Sequence, residues 1–382
     1  MNVLYSYHTD PLYMAPRRFS ENQVNCGPFF EDREDGGRIL SLKTPPGEYD
    51  LPDIVARLPA AQRPDLVVVK ADASRLNLPR DVHRVGCVSV LIVGDTQHMV
   101  RPLAGMLEYA EVETFDFVMT DHGRRVLHHF AAAGCANTFW IPGINLRTYS
   151  IEGTRPDTYP LSFVGGYGAA HPVRFRALRS LLEHGQPMHV RSTGQEAAAR
   201  IYPASQINLN VSLNGDVNLR VFEVVAHGGL LLTDALRPQA GLGDLFRIGE
   251  EVLTFDGFDD LNAQVSAYMN DPAACAAIAA RGHERYLRDH TPEVRLAQFF
   301  DILNRRPVPD YLHGPHDRRV AAARGRPRRA FDVEIGVYEV LQALNRNAPE
   351  AGLVAFPGVS VHPIASAAHL SRGAVCAVAA SP

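Results

Sequence analysis

Between residues 3 and 303 the chain alternates short apolar runs with stretches of helical period, which predicts strands and helices in turn. In the first half, residues 3–7, 66–69, 88–93, 115–119 and 138–141 read as strands, with helices over 54–58 and 123–133. These runs are short and β-branched, as in a parallel sheet covered by helices. From residue 161 the alternation restarts. Strands 161–164, 188–190, 207–211, 230–232 and 252–255 interleave with helices 172–184, 195–201 and 218–226, and helices 259–269, 272–288 and 292–303 complete the pattern. The expected fold class is α/β, with two Rossmann-like units in succession.

Three segments interrupt this order. Residues 10–46 are rich in Pro and Gly and carry Tyr13, Phe19, Phe29 and Phe30 among polar residues, so they read either as a functional loop or as a small structural excursion. Residues 140–160 combine a strand end, a Pro-Gly turn and a polar linker, which puts a domain boundary near Tyr149. Residues 305–329 repeat Pro and Arg with few large apolar side chains and read as a linker; 331–345 fit an amphipathic helix, and the rest lacks a period. The expected organisation is therefore a domain over 1–149, a second over 150–304, a basic linker over 305–330 and a tail over 331–382 with a short helix.

Composition narrows the partners. The 382 residues suffice for two or three domains, and a formal charge of −4 with a pI of about 6.5 gives no global basic field for a nucleic-acid backbone. Lys43 and Lys70 are the only lysines, so nearly every cation is an arginine, whose planar fork suits a diphosphate. The five cysteines are scattered and form no CxxC, which argues for reduced thiols rather than a zinc site or disulfide framework. No basic-then-apolar leader opens the chain and no run reaches the ~18 apolar residues of a membrane span. A cytoplasmic location is expected, with peripheral membrane contact left open.

The richest stretch is residues 201–234, IYPASQINLNVSLNGDVNLRVFEVVAHGGLLLTD. Asn218, Arg220 and Glu223 fall at the start of a predicted helix, and the chain returns through Gly228 and Gly229 into a strand. In a doubly wound sheet this passage lies at the carboxyl edge, where nucleotides bind. A carboxylate at Glu223 can accept both hydroxyls of a ribose, while Arg220 and free helix amides attract a diphosphate. The same residues also fit a solvated helix face, with Glu223 complementing the helix dipole. Upstream, strand 161–164 runs into Gly165-Gly166-Tyr167-Gly168 and a helix containing Arg174. Such glycines let backbone amides approach phosphate and Arg174 can reach a diphosphate oxygen, although a plain tight turn accounts for them as well. Arg191-Ser192-Thr193-Gly194, after the next strand, offers contacts to a base or an ordinary helix cap.

The run Asn218-x-Arg220-x-Phe222-Glu223, with Ala226, Gly228-Gly229 and a strand ending in Thr233-Asp234, resembles the donor-site signature of group 1 glycosyltransferases. More narrowly, it is similar to the branch typified by spore maturation protein B. The resemblance covers about residues 160–303, with weaker echoes back to residue 65. It implies two facing Rossmann-like domains, the GT-B arrangement, here with a C-terminal extension. It also implies transfer of a sugar from a nucleotide-diphosphate sugar to an acceptor, with retention of configuration. The donor would be held by Gly165, Gly166, Arg174, Asn218, Arg220, Glu223 and Gly228, and presented to an acceptor carried by the first domain, where residues 10–46 would serve as a loop. The nucleotide sugar is a substrate, and no further cofactor is expected. Polysaccharide biosynthesis is the expected setting; a nucleotide-sugar epimerase or a non-catalytic nucleotide-sugar-binding module on the same fold are the alternatives.

The first domain offers Asp95 and His98 in Val93-Gly94-Asp95-Thr96-Gln97-His98, after its best buried strand. Either could take a proton from the acceptor hydroxyl or steady developing positive charge; equally, Asp95 could cap a helix and His98 lie on its exposed face. Asp121-His122 repeats the geometry one strand later, and His227 sits beside the glycines of the second domain; both read more readily as structural. With no HExxH, no Cys/His cluster and no Asp-x-Asp, metal ligation looks poor and a metal-independent transferase is expected.

Overall fold

The computed structural model describes residues 1–11, 14–94, 96, 102–151, 158–167, 171–213, 215–314, 320–321 and 324. These divide into two compact units: Met1–Asn145, joined again by the chain from Leu296 onward, and Leu146–Arg295.

The first unit is built on β1 (Asn2–Ser6), β2 (Asn22–Gly27), β3 (Arg33–Asp35), β4 (Arg38–Lys43), β5 (Gly47–Asp50), β6 (Leu66–Ala71), β7 (Asn77–Arg80), β8 (Val88–Val93), β9 (Phe117–Thr120) and β10 (Thr138–Trp140). Eight of them form one sheet in the order β10-β9-β8-β6-β1-β2-β4-β3, while β5 and β7 pair separately. All pairings are parallel except β3 with β4. The helices are α1 (Leu51–Ala56), α2 (Pro102–Glu113) and α3 (Leu127–Ala132). β6, LVVVKA, is buried along its whole length, as a central parallel strand must be. Val3 and Tyr5 of β1 enter one core with Phe19, Phe139 and Phe299, and Leu4 enters the other with α1 and α2.

Residues 10–46, read either as a functional loop or as a small structural excursion, hold three strands. β2 pairs in register with β1 from Asn2↔Asn22 to Ser6↔Cys26. Its Val24 and Cys26 are buried while Asn22, Gln23 and Asn25 are not, an alternation too short and too polar to stand out in the sequence. The expected linker also begins as packed chain: Leu312 is fully buried, Val308 and Tyr311 lie against the same core, and His313 bridges to Phe139. The rest of the linker and tail, including the amphipathic helix expected over 331–345, falls almost entirely outside the described residues.

The second unit holds β11 (Tyr159–Val164), β12 (His189–Arg191), β13 (Ser205–Asn210), β14 (Leu231–Asp234) and β15 (Leu253–Phe255), all parallel, in the order β12-β11-β13-β14-β15. Around it lie α4 (Pro172–Glu183), α5 (Gln195–Ile201), α6 (Leu219–Ala226), α7 (Leu242–Leu245), α8 (Gly257–Met269) and α9 (Pro272–Asp289), with α10 (Pro292–Leu303) carrying the chain onward. Every element except the short α7, which the sequence pattern did not predict, starts and stops within about three residues of its expected span. α9 shows why: Pro272 opens it and the Asp271 side chain accepts from the Ala274 amide, 2.9 Å away, a capping arrangement visible in the sequence.

Strand order fixes where ligands can bind. In the second unit β12 lies on one side of β11 and β13 on the other, so the switch point is the β11/β13 carboxyl edge. In the first unit the chain steps from β1 out to β2 and β4 and returns to β6 on the opposite side, so its switch point is the β1/β6 carboxyl edge.

Candidate functional site

At the β11/β13 edge of the second unit stands Arg220. Asn218 is the N-cap of α6 but makes no side-chain bond to the helix amides. Its Nδ2 donates instead to Asn210 Oδ1 at 3.2 Å, the oxygen that also accepts from Arg220 Nη1 at 3.0 Å. Asn210 is fully buried at the end of β13 and is anchored by its own Nδ2 donating to Thr233 Oγ1 at 3.0 Å. The guanidinium lies 5.0 Å from the Phe163 ring, a cation–π contact that holds it over β11. Among the described residues, Arg220 Nε and Asn218 Oδ1 are buried and without a hydrogen-bond partner. Gly165 makes room: its φ is +143°, and a Cβ there would sit 1.9 Å from Arg220 Nη2.

One turn further along the same helix face comes Glu223. Its Oε1 accepts from Gln195 Nε2 at 3.2 Å and its Oε2 from the Tyr202 hydroxyl at 3.0 Å. Burial, with the neighbouring Glu223 charge, pushes the Tyr202 phenol well above its ordinary range, partly opposed by Arg220, so the hydroxyl stays a donor. Gly165, Asn218, Arg220 and Glu223 are thereby brought together, as expected.

Two expected residues are placed otherwise. Arg174 lies buried behind the turn, its Nε donating to the Val211 carbonyl at 2.9 Å and its Nη1 to the Gly166 carbonyl at 3.3 Å. It braces the β11–α4 turn against the end of β13, because a buried guanidinium satisfies whatever carbonyls surround it. Gly166 is therefore present at the site as Arg174's acceptor. Gly228, expected in the donor site, sits past the far end of α6, about 12 Å along the helix direction from Arg220. With φ +73° it ends the helix in the left-handed conformation that favours glycine. His227 serves the same end: its Nδ1 donates to the Glu223 carbonyl at 2.7 Å and its Nε2 accepts from the Tyr149 amide at 3.3 Å, with burial lowering its pKa. Gly168, Asp95 and His98 lie outside the described residues.

The loop between β13 and α6 rests on a buried carboxylate. Asp234 Oδ1 accepts from the Ser212 amide at 2.6 Å and Oδ2 from its hydroxyl at 2.7 Å, while the Gly215 amide donates to that hydroxyl at 3.1 Å. Burial raises the Asp234 carboxyl to about 6; the Ser212 bonds oppose the rise and the nearby Asp216 adds to it. An acid whose folded pKa exceeds its unfolded value of 3.8 stabilises the fold below that value, and the contribution disappears as pH rises through 6. Asp234→Asn is thus expected to gain stability on the order of 2–3 kcal/mol at pH 8 and almost none at pH 4, measured by denaturant unfolding at both.

A second polar constellation, of which the sequence marks Asp121 and His122 but not the residues that join them, occupies the carboxyl edge of the first unit. Lys70 Nζ donates to Asp121 Oδ2 at 3.0 Å, and the same oxygen accepts from Asn145 Nδ2 at 2.9 Å; His122 Nδ1 is 3.3 Å from Asp121 Oδ1. Burial by itself would raise the Asp121 carboxyl, but His122, Lys70 and Asn145 together hold it well below the usual range. At the switch point, His8 Nε2 is 3.0 Å from Asp72 Oδ2 and its Nδ1 is 3.2 Å from the Lys70 carbonyl. Here too burial is outweighed: the His8 hydrogen bond and charge, with Ser74, bring Asp72 down to about 2. The available signal was Lys70 itself, a lone lysine inside a valine run, which requires a buried anionic partner.

Comparison with known proteins bears on the second unit most directly. Residues 167–301 match the family model described as glycosyl transferase-like. No curated protein matches in sequence. Among solved structures, a glycosyltransferase from Rickettsia africae aligns with a TM-score of 0.56 at 8% identity, over 80% of this chain and 98% of that one. HepE from Anabaena, solved with UDP and glucose, gives 0.53 at 12% identity over 80% and 100%. Sucrose-phosphate synthase from Thermosynechococcus elongatus gives 0.53 at 12% over 80% and 99%. The fold is of the GT-B type. In this GT-B chain the family match begins at Tyr167, beside Gly165, and includes Arg220, Glu223 and the two residues that hold the glutamate. No described helix is long and apolar enough to cross a membrane.

Proposed function

We propose that this chain is a glycosyltransferase that takes a sugar from a nucleotide-diphosphate donor bound in the second unit. The observation that carries the reading is the pairing of Arg220 and Glu223 on one face of α6 at the β11/β13 switch point, inside the segment with glycosyl transferase-like sequence. Arg220 and the uncapped first-turn amides of α6 neutralise the diphosphate, and Glu223 takes the pentose hydroxyls. Because charge builds on that diphosphate as the glycosidic bond breaks, the same groups lower the barrier without a metal ion. HepE was solved with UDP-glucose, which makes a uridine diphosphate sugar the first donor to test. The proposed transfer retains configuration, a reading supported by the resemblance of residues 218–234 to group 1 enzymes. The acceptor belongs to the first unit, where His122 Nδ1 lies 3.3 Å from the buried Asp121 carboxylate, a place suited to meeting a hydroxyl.

A panel of UDP-, GDP- and dTDP-sugars tests the donor half. At a ligand concentration about 100-fold above Kd, one member is expected to stabilise the chain by about 2.7 kcal/mol, a melting shift of several degrees. The stabilising donor, supplied with labelled sugar, is then expected to lose that sugar to water or an added acceptor. Absence of any stabilisation would remove the donor site; binding without turnover would leave a binding module.

A further inference from the structure

We infer that Gln195 and Tyr202 are positioning residues that lock the Glu223 carboxylate for a vicinal diol, so that the site selects ribonucleoside over 2′-deoxyribonucleoside diphosphates. The inference rests on the proposed meeting of Glu223 with the pentose and names what makes that meeting selective.

A half-exposed glutamate on a helix samples many rotamers, and holding it in one costs side-chain entropy that a ligand would otherwise have to supply. Here the ordering is built in. One donor approaches each carboxylate oxygen: Gln195 Nε2 on Oε1 and the Tyr202 hydroxyl on Oε2. The donors come from the two ends of α5 and the acceptor from α6, so the plane of the carboxylate is fixed by two separate elements. Each oxygen keeps a second lone pair, and two parallel acceptor positions on one carboxylate match two adjacent hydroxyls.

Both donors are themselves held. Tyr202 is buried, and its carbonyl accepts from Asn208 Nδ2 at 3.0 Å, while Asn208 Oδ1 accepts from Ser162 Oγ at 2.8 Å. The backbone of Tyr202 is thus tied through β13 to β11, the two strands of the switch point, and the ring is held by its burial. Gln195 opens α5 directly after Arg191-Ser192-Thr193-Gly194 at the end of β12, the turn where a base would rest, so it stands between base and pentose. A ligand lacking the 2′-hydroxyl leaves one locked acceptor position unfilled, and a fixed acceptor cannot swing away to find water.

The test compares UDP with 2′-deoxy-UDP, and GDP with 2′-deoxy-GDP, by calorimetry on the full chain, using whichever pair binds. Wild type is expected to prefer the ribose form at least tenfold, and Glu223→Ala to bind both alike. Gln195→Ala and Tyr202→Phe are each expected to cut the preference at least threefold, with affinity for the deoxy form changed less than twofold. If Glu223→Ala loses the preference but Gln195→Ala and Tyr202→Phe keep it, or weaken both ligands equally, the positioning role is overturned while the glutamate–pentose contact stands. If wild type itself does not discriminate, that contact fails and the inference with it. Gln195 is partly exposed, so its truncation keeps the test readable should Tyr202→Phe fold poorly.

Discussion

Arg220→Met is expected to weaken nucleoside-diphosphate binding roughly 100- to 10,000-fold, because two charge-assisted hydrogen bonds to phosphate contribute about 1.5–3 kcal/mol each. The ligand-free chain should lose little. Asn210 Oδ1 keeps its bond from Asn218, and methionine fills the space over Phe163. Arg220→Lys is expected to fall between, since an ammonium keeps the charge but cannot hold Asn210 and a phosphate with separate arms of one fork. Gly165→Ala should reproduce much of the methionine effect without touching the arginine. Its Cβ would stand 1.9 Å from Nη2, and φ +143° is strained for alanine, so the guanidinium must leave its place. Calorimetry on the three variants decides the matter: Gly165→Ala with wild-type affinity would mean that the diphosphate is not held by the arginine in this position.

The second unit was legible because its signals are local. Most strands hold a short apolar run, α4, α9 and α10 each open on a proline, and Arg220 and Glu223 sit three apart, on one helical face by arithmetic alone. What the sequence hid is everything set by distance along the chain. Tyr202 and Gln195 reach Glu223 from 21 and 28 residues away, and nothing in their neighbourhoods marks them. Arg174 looked like a phosphate ligand because a glycine turn preceding a helix with arginine is a phosphate pattern; its side chain instead met the nearer carbonyls of Val211 and Gly166. Gly228 falls away from Arg220 for a related reason. A glycine beside a binding motif and a glycine ending a helix look alike until the direction of the helix is known. In the first unit the strands β2 to β4 are largely polar, and the Lys70–Asp121 pair spans 51 residues, so the sequence marks Asp121 and His122 without showing the lysine that meets them.

That constellation carries the second large effect. Lys70→Met is expected to destabilise the first unit by about 3–5 kcal/mol, since it leaves Asp121 buried with its countercharge gone and only Asn145 and His122 beside it. The pH dependence distinguishes this cause from a packing defect. In wild type the folded pKa of Asp121 lies below its unfolded value, so its contribution is complete above the ordinary carboxylate range and is lost as pH falls through the depressed folded value. In Lys70→Met the carboxyl keeps His122 but has lost the lysine's charge and hydrogen bond, and takes up a proton more readily. The gap between the two proteins is therefore expected to be widest near neutrality and to narrow below about pH 4. A gap that stays constant with pH would indicate lost packing alone. Asp121→Asn combined with Lys70→Met is expected to recover part of the loss, because neither buried charge then stands unpaired. Nucleoside-diphosphate affinity supplies the control: Arg220 and Glu223 belong to the other unit, so below the melting temperature Lys70→Met should bind the diphosphate as wild type does while transfer to an acceptor falls.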